Sequence, residues 1–402
     1  MSSRERYTIH FFIAATMIAV AYIMLYKAIG QGIFSHCDYD SYTRQAEAWW
    51  RGSASLPENI SWLELAEYRG GYYVSFPPFP SAVQFLFYPI FGIKTPDNLI
   101  NTLFALGAFV LIYRFLMRRG YSGFAASVFA LLLTLGTNLF YLSVTGWVWF
   151  SAQTQGFFLS VLSVYLIYSQ KKTAWYFSFL CLGLAVACRP FQIIYAPLLF
   201  YVLFENTEGK GFLHAFGCLK YVLPMIFAGI CIGAYNYIRF GYVLEFGHNY
   251  LPEFENTQQF SISYIPGNFI EILKLPGIKN GSIVWPTFNG TLFFLVNPVY
   301  VMLGISFIKN QFGKKQFIYM LCVIAHFLAT LSHKTMGGWQ FGSRYLVDMI
   351  PFMLVIFAQD KSYKTGHSIK MMVLPAALCA FGIAVNISGA AWYYSWYTTM
   401  LI

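Results

Sequence analysis

Charge is what this sequence has least of. Asp and Glu total 16 in 402 residues, Lys and Arg total 26, and only 10% of the chain is charged, where a soluble domain carries about a quarter. An ordinary water-soluble globular fold is therefore excluded. Also missing are GxxxxGK[ST], a GxGxxG after a strand, HExxH and GxSxG. Their absence argues against ATP-driven transport, Rossmann chemistry and standard hydrolase chemistry. The seven cysteines (Cys37, Cys181, Cys188, Cys218, Cys231, Cys322 and Cys379) form no CxxC, so no metal or redox framework is indicated. Most lie in apolar runs, where Cys behaves as a small hydrophobe. A Cys37–Cys188 bridge is conceivable; free thiols are the simpler expectation.

What is abundant is apolar sequence: 58% hydrophobic, 20% aromatic, mean hydropathy +0.55. Many runs approach the roughly 20 residues that cross about 30 Å of hydrocarbon, and runs this continuous satisfy their backbone in lipid as helices. The first, "IHFFIAATMIAVAYIMLY" (9–26), is too long for a signal-peptide core and lacks an A-x-A site, so it reads as a retained span. A net charge of +10 raises the question of nucleic acid, but its distribution answers it. Basic residues cluster in short gaps: Arg4 and Arg6; Arg114, Arg118 and Arg119; Lys171 and Lys172; Lys309, Lys314 and Lys315; Lys361, Lys364 and Lys370. That is the positive-inside pattern, and no nucleic-acid partner is expected.

The expected fold is all-α, a polytopic bundle of about 11 spans near 7–28, 98–117, 121–141, 152–169, 173–188, 191–204, 217–238, 288–308, 316–332, 345–358 and 370–388. The chain reads as one integral membrane domain, 1–402, with a cytoplasmic N-terminus. Two long external loops follow, 30–97 and 239–287, and the acids are skewed to that side, as function tends to be. In the first loop two interfacial helices are expected, separated by irregular chain. "SYTRQAEAWWRG" has helical spacing, capped by Asp40 or Ser41 and ended by Gly52. "PSAVQFLFYPIFG" is apolar and too short to span.

The loop "FSHCDYDSYTRQAEAWWRG" (34–52) carries Asp38 and Asp40 just past the first span. They can cap a helix, act as a general base on a sugar hydroxyl, or share a divalent cation, Mg or Mn. "YRGGYYVSFPPFP" (68–80) pairs a Gly70–Gly71 turn with Pro77 and Pro78, which forbid regular helix; it is either a stiff loop or a pocket wall built from Tyr72, Tyr73 and Phe76. Four cations stand at the outer edge: Arg189, Arg239, Lys334 and Arg344. Each can be an interfacial anchor, or together they can hold a phosphate, which suits Arg geometry. Asp348, four residues after Arg344, is spaced for an ion pair on one helix face. His248 lies among Glu245, Glu253 and Glu255 without a standard ligand spacing. Gln153 and Gln155 can hydrogen-bond a sugar or line a polar groove.

Taken in order, these stretches resemble the polytopic glycosyltransferases of the GT-C fold, a group that includes protein O-mannosyltransferases and the lipid A aminoarabinose transferase. "CDYDSYTRQAEAWWRG" is similar to the group's first-loop pattern of an Asp, a Tyr four residues later, a small residue and a Gly. "YRGGYYVSFPPFPSAVQFLFYPIFG" resembles the segment after it. "LGLAVACRPFQIIYAPLLFY", "GAYNYIRFGYVLEFGHNY" and "GGWQFGSRYLVDMIPFML" resemble a middle span and later external ends. The resemblance implies a polyprenyl-phosphate-linked sugar donor and transfer to a hydroxyl of a glycan, lipid or protein acceptor, usually with inversion, on the non-cytoplasmic face of a bacterial inner membrane. It implies Asp38, four before Tyr42, as base, with Asp40 an extra acid able to take that role. It places Arg344, and Arg239 with it, near the lipid phosphate; Asp348 departs from the group's apolar residue. Tyr42, Tyr72, Tyr73, Gln153, Glu245 and His248 are the pocket candidates; a divalent cation, Mg or Mn, could assist, and no ligand set demands one. The rival class is a transporter or flippase of lipid-linked sugars or small solutes, which predicts charges near the bilayer midplane. Here the unusual charges lie at one leaflet edge.

Overall fold

The computed structural model describes residues 3–400 apart from 208, 255, 256, 310, 311 and 367. Among the described residues six helices are long and apolar enough to cross a membrane: Thr8–Ile29, Asp97–Arg118, Val148–Ile167, Phe212–Phe240, Lys314–Leu331 and Ile369–Met400. Three shorter apolar helices, Gly123–Leu133, Lys172–Val186 and Val299–Lys309, accompany them. The chain is an integral membrane protein, and its apolar exposure makes sense only in lipid: Phe12, Ile13, Ile23 and Met24 of the first helix are all more than half exposed.

Each of the expected spans contains helix, but not all are regular. The run 121–141 stops at Leu133 and resumes only as Leu139–Leu142. The run 345–358 is a 3-10 helix, Arg344–Phe352, followed by the short α-helix Met353–Phe357, with Pro351 inside. The run 288–308 breaks at Asn297–Pro298, where proline lacks the N–H the helix needs. The breaks themselves lie in buried chain: residues 134–138, 296–299 and 346–358 are enclosed in protein. Irregular backbone at membrane depth is tolerated only under such cover.

By packing, the chain forms two compact units: Met1–Gly32 with Ala105–Val144 and Ser263–Ile402, and Ile33–Phe104 with Thr145–Ile262. In the first unit, the Ser3–Ile29 helix is fastened to the end of the broken run. Tyr22 Oη lies 2.5 Å from Ser143 Oγ, and Tyr26 Oη donates to the Val144 carbonyl at 2.9 Å. The broken ends are satisfied by side chains, as buried backbone requires. Asn297 Oδ1 accepts from the Asn138 N–H at 2.9 Å, and Asn386 Nδ2 donates to the Val296 carbonyl at 2.8 Å. Gly382 lets its helix reach Gly136; a Cβ there would meet the Gly136 oxygen at 2.6 Å.

In the second unit, Val148–Ile167 and Lys172–Val186 pack as neighbours, joined by reciprocal bonds from Ser163 Oγ to the Ser178 carbonyl and back, both 2.7 Å. Small hydroxyl residues allow such close approach in lipid. The loop after the first long helix forms a shelf on this unit. Its helices, Ser41–Trp50 and Phe79–Phe91, lie against each other, with Trp50 stacked on Phe85 at 4.6 Å. Leu86 and Ile90 are about three-quarters exposed (72% and 73%), so this short apolar helix leaves one apolar face uncovered.

The chain between them is not irregular, as expected, but a β-hairpin. Leu65–Tyr68 pairs with Gly71–Val74, Tyr68 opposite Gly71. The turn residues Arg69 and Gly70 have φ of 48° and 76°, the type I′ geometry whose twist matches the strands. A second hairpin, Gly277–Lys279 with Ser282–Val284, turns through Asn280 and Gly281 (φ 51° and 76°). The fold is helical with two small sheets.

Candidate functional site

The segment 36–40 is an extended strap whose backbone is held from several directions. The Cys37 N–H donates to Asp97 Oδ1 at 3.1 Å, the Tyr39 carbonyl accepts from the Val148 N–H at 3.1 Å, and the Asp38 carbonyl accepts from Trp62 Nε1 at 3.2 Å. Tyr39 is wedged between Trp147 and Trp149, ring centroids 5.5 and 5.1 Å away. The Asp38 side chain is exposed and makes no hydrogen bond or ion pair among the described residues. A fixed backbone thus presents an open carboxylate, the state a general base needs.

Asp40 is different. It occupies the N-cap position of Ser41–Trp50, yet its side chain caps nothing. It is 4% exposed, and its oxygens accept from Arg44 Nε at 2.7 Å and His36 Nε2 at 3.1 Å. The other ring nitrogen of His36, Nδ1, faces the Thr95 carbonyl at 3.0 Å and Asp97 Oδ2 at 3.1 Å. Both nitrogens face only acceptors, so both carry protons and the ring is an imidazolium. Burial works against that charge, but the bonds to Asp40 and Asp97 outweigh it and push the His36 pKa up to about 10. Asp97 also accepts the Cys37 thiol at 3.3 Å, whose pKa burial and the Asp97 charge push well up. Gly146 leaves room for this carboxylate: a Cβ there would lie 2.3 Å from Asp97 Cγ. His36 and Asp97 were not among the sequence candidates. They stand 61 positions apart, and no spacing rule links them.

A second group of candidates gathers around Arg239 in the same unit. Arg239 is 2% exposed; its Nη1 donates to the Val74 carbonyl at 2.7 Å and its Nη2 to Asn236 Oδ1 at 2.8 Å. Its guanidinium lies over Tyr235 and Phe240, 4.3 and 4.8 Å from the ring centres. Its Nε has no hydrogen-bond partner. The Tyr42 hydroxyl is likewise buried and unpartnered. Burial pushes its pKa up, opposed by the charges of Arg189 and Arg239. Tyr73 and Glu245 interact electrostatically with Arg239. Glu245 folds onto its own loop, accepting from the Gly247 N–H and Asn249 Nδ2, both at 2.6 Å. His248 sets its ring edge-on to Phe76 at 5.4 Å. Arg189 is half-buried at the start of the 3-10 helix Pro190–Tyr195. Gln153 is fully buried in Val148–Ile167 and hydrogen-bonded or in contact there; Gln155, also buried, has neither end of its amide paired. Orphaned polar atoms in a core carry a desolvation cost, and a hydroxyl-rich or anionic ligand would relieve it.

Tyr72 and Tyr73 do not share a wall. They are successive strand residues, which point to opposite faces: Tyr72 packs on the cluster of Leu56 and Tyr42, Tyr73 on Phe240.

Lys334 and Arg344 belong to the other unit. Arg344 is 4% exposed and donates from Nη2 to the Gly337 carbonyl at 2.9 Å, its guanidinium 4.8 Å from the Tyr345 ring centre. Lys334 is half-buried. Because 344–352 is a 3-10 helix, residues three apart eclipse, and Asp348 is rotated off the face that α-helical spacing predicts. Glu255 lies outside the described residues.

Among the described residues no group of three or more His, Cys, Asp and Glu is arranged to hold a metal ion. Asp40, with one oxygen on Arg44 and the other on His36, does not fit the shared divalent cation that the Asp38–Asp40 spacing allows.

No protein-family model matches the chain, and no curated protein matches it. Among solved structures it is similar to ArnT from Cupriavidus metallidurans bound to undecaprenyl phosphate, at TM-score 0.50 and 12% identity, over 94% of this chain and 75% of that one. It is also similar to the Archaeoglobus fulgidus oligosaccharyltransferase in the apo form (TM-score 0.47, 14% identity) and to the oligosaccharyltransferase AglB of that organism in complex with an inhibitory peptide and a dolichol-phosphate (0.47, 13%). The chain spans 56% of either oligosaccharyltransferase chain. The likeness to ArnT shows the fold alone, a GT-C-type helical fold.

Proposed function

We propose that the chain is a membrane glycosyltransferase that moves a sugar from a polyprenyl-phosphate-linked donor to an acceptor hydroxyl of a cell-envelope glycan, lipid or protein, on the extracytoplasmic face of a bacterial inner membrane. The N-terminus is cytoplasmic in this reading, and the long loops 30–97 and 239–287 are external. The observation that carries it is the open Asp38 carboxylate on a pinned strap; the GT-C fold supports it.

Asp38 takes the proton of the acceptor hydroxyl as that oxygen attacks the anomeric carbon. The bond from that carbon to the lipid phosphate breaks on the opposite face, so the configuration inverts. Charge is oxocarbenium-like at the sugar and grows negative on the departing phosphate. Arg239 and Arg189, the cations of the same unit as Asp38, are assigned to that phosphate; a donor of this kind in a dry site contributes about 3 kcal/mol. Tyr42, with its unpartnered hydroxyl beside Arg189 and Arg239, joins the donor pocket, with Tyr73 and Glu245, which interact with Arg239, and with Gln153 and His248. Asp40, locked between two cations, is a structural acid.

The test is transfer from a panel of radiolabelled undecaprenyl-phosphate sugars in proteoliposomes, with Asp38→Asn beside the wild type. The expected result is labelled product from the wild type and none from a folded Asp38→Asn. Counterflow of solute or lipid-linked sugar without any product would replace this reading with the transporter.

A further inference from the structure

We propose that His36 is a positioning residue: as a doubly donating cation between Asp40 and Asp97, it clamps the strap that presents Asp38. This rests on the transferase reading above and adds a part to it.

Four charged groups meet at the strap. Asp40 and Asp97 are nearly inaccessible, at 4% and 1% exposure; Arg44 and His36 are the cations within ion-pair distance. Arg44 comes from the same helix as Asp40 and binds it alone, so it ties nothing to the strap. Asp97 opens the long helix Asp97–Arg118 and has no cation within ion-pair distance but His36 among the described residues. His36 alone reaches both carboxylates, 3.1 Å to each. Its ring therefore joins three pieces: the strap it sits on, the start of Ser41–Trp50 and the start of Asp97–Arg118. The Cys37 N–H and thiol bind the same Asp97 from the next residue. With a neutral imidazole, one of its two nitrogens would face a carboxylate or carbonyl lone pair to lone pair. That contact would be repulsive, and a buried charge would lose its partner. The strap would then open at the residue next but one to Asp38, and misplacing a catalytic group by an ångström costs about a hundredfold in rate.

Three measurements test this on the full chain in nanodiscs. In His36→Gln, kcat should fall by about 100-fold while KM for the lipid-linked donor stays within about twofold. Amide exchange across 36–40 should quicken, with exchange in Val148–Ile167 unchanged. In the wild type, ring-labelled His36 should show both nitrogens protonated at neutral pH, a readout that needs no variant to fold. A wild-type kcat in His36→Gln, a slowed variant with unchanged exchange, or a neutral ring at pH 7 overturns the role. Silence of the wild-type chain with every donor overturns the transferase reading and this role with it; an active wild type beside an equally active His36→Gln overturns this role alone.

Discussion

The indole N–H of Trp62 donates to the main-chain carbonyl of Asp38 across 3.2 Å. Trp62 is itself 56% exposed, so it reaches in from the surface to hold the backbone of the residue assigned as base. Trp62→Phe keeps a ring and removes the donor. A bond of this kind contributes about 0.5–1.5 kcal/mol. Transfer should slow about threefold to tenfold, with stability lowered by no more than that one bond contributes. A fall in melting temperature of the size seen for core variants would show that the ring, not its N–H, matters.

Asp40 and Asp38 should part company when each is changed to Asn. Asp40→Asn leaves His36 and Arg44 facing an amide in a buried place, which costs about 3 kcal/mol; denaturant unfolding in detergent reads it. Asp38→Asn, at an open position, should unfold like the wild type and transfer nothing. If Asp40→Asn is the stable, dead variant instead, the two roles are exchanged.

The His36 charge gives stability a pH dependence of known sign. Its folded pKa, about 10, stands above the ordinary 6.5 of the unfolded chain. The contribution is complete below 6.5, shrinks as pH rises from there, and is gone above 10. The gap in melting temperature between wild type and His36→Gln should therefore close on going alkaline. A gap that widens with pH contradicts the charged ring.

Gly382→Ala should destabilise by about 1–3 kcal/mol. The new methyl meets the Gly136 oxygen at 2.6 Å and Pro298 Cγ at 2.8 Å, none of which is the end of a flexible side chain. Thermal unfolding in detergent measures it; an unchanged midpoint would mean that the helix can shift without cost.

The helices were legible because hydropathy over some twenty residues needs no partner to be read. Where the structure breaks them, at 134–138, 297–298 and 344–352, the cause is tertiary: Asn297, Asn386 and surrounding protein replace the bonds the helix gives up, and a hydropathy window does not register them. Both hairpins did carry a local signal, Arg69–Gly70 and the stronger Asn280–Gly281, on strands of only three or four residues each. At the site, Asp38, Tyr42 and Arg239 were legible as unusual residues in an apolar chain. His36 and Asp97 were not, because their meaning lies in the contact between them and each alone resembles an ordinary loop His and a helix-opening Asp.

The broken apolar runs have a consequence for how the protein enters its membrane. A segment such as 344–357, which abandons the α-helical ladder and relies on surrounding protein, has no stable form alone in hydrocarbon. The six long helices can leave the translocon one at a time; this segment, and 134–142 with it, cannot. Its insertion must wait until the helices that enclose it have assembled. Substitutions there should show as failed insertion and proteolysis before they show as lost activity.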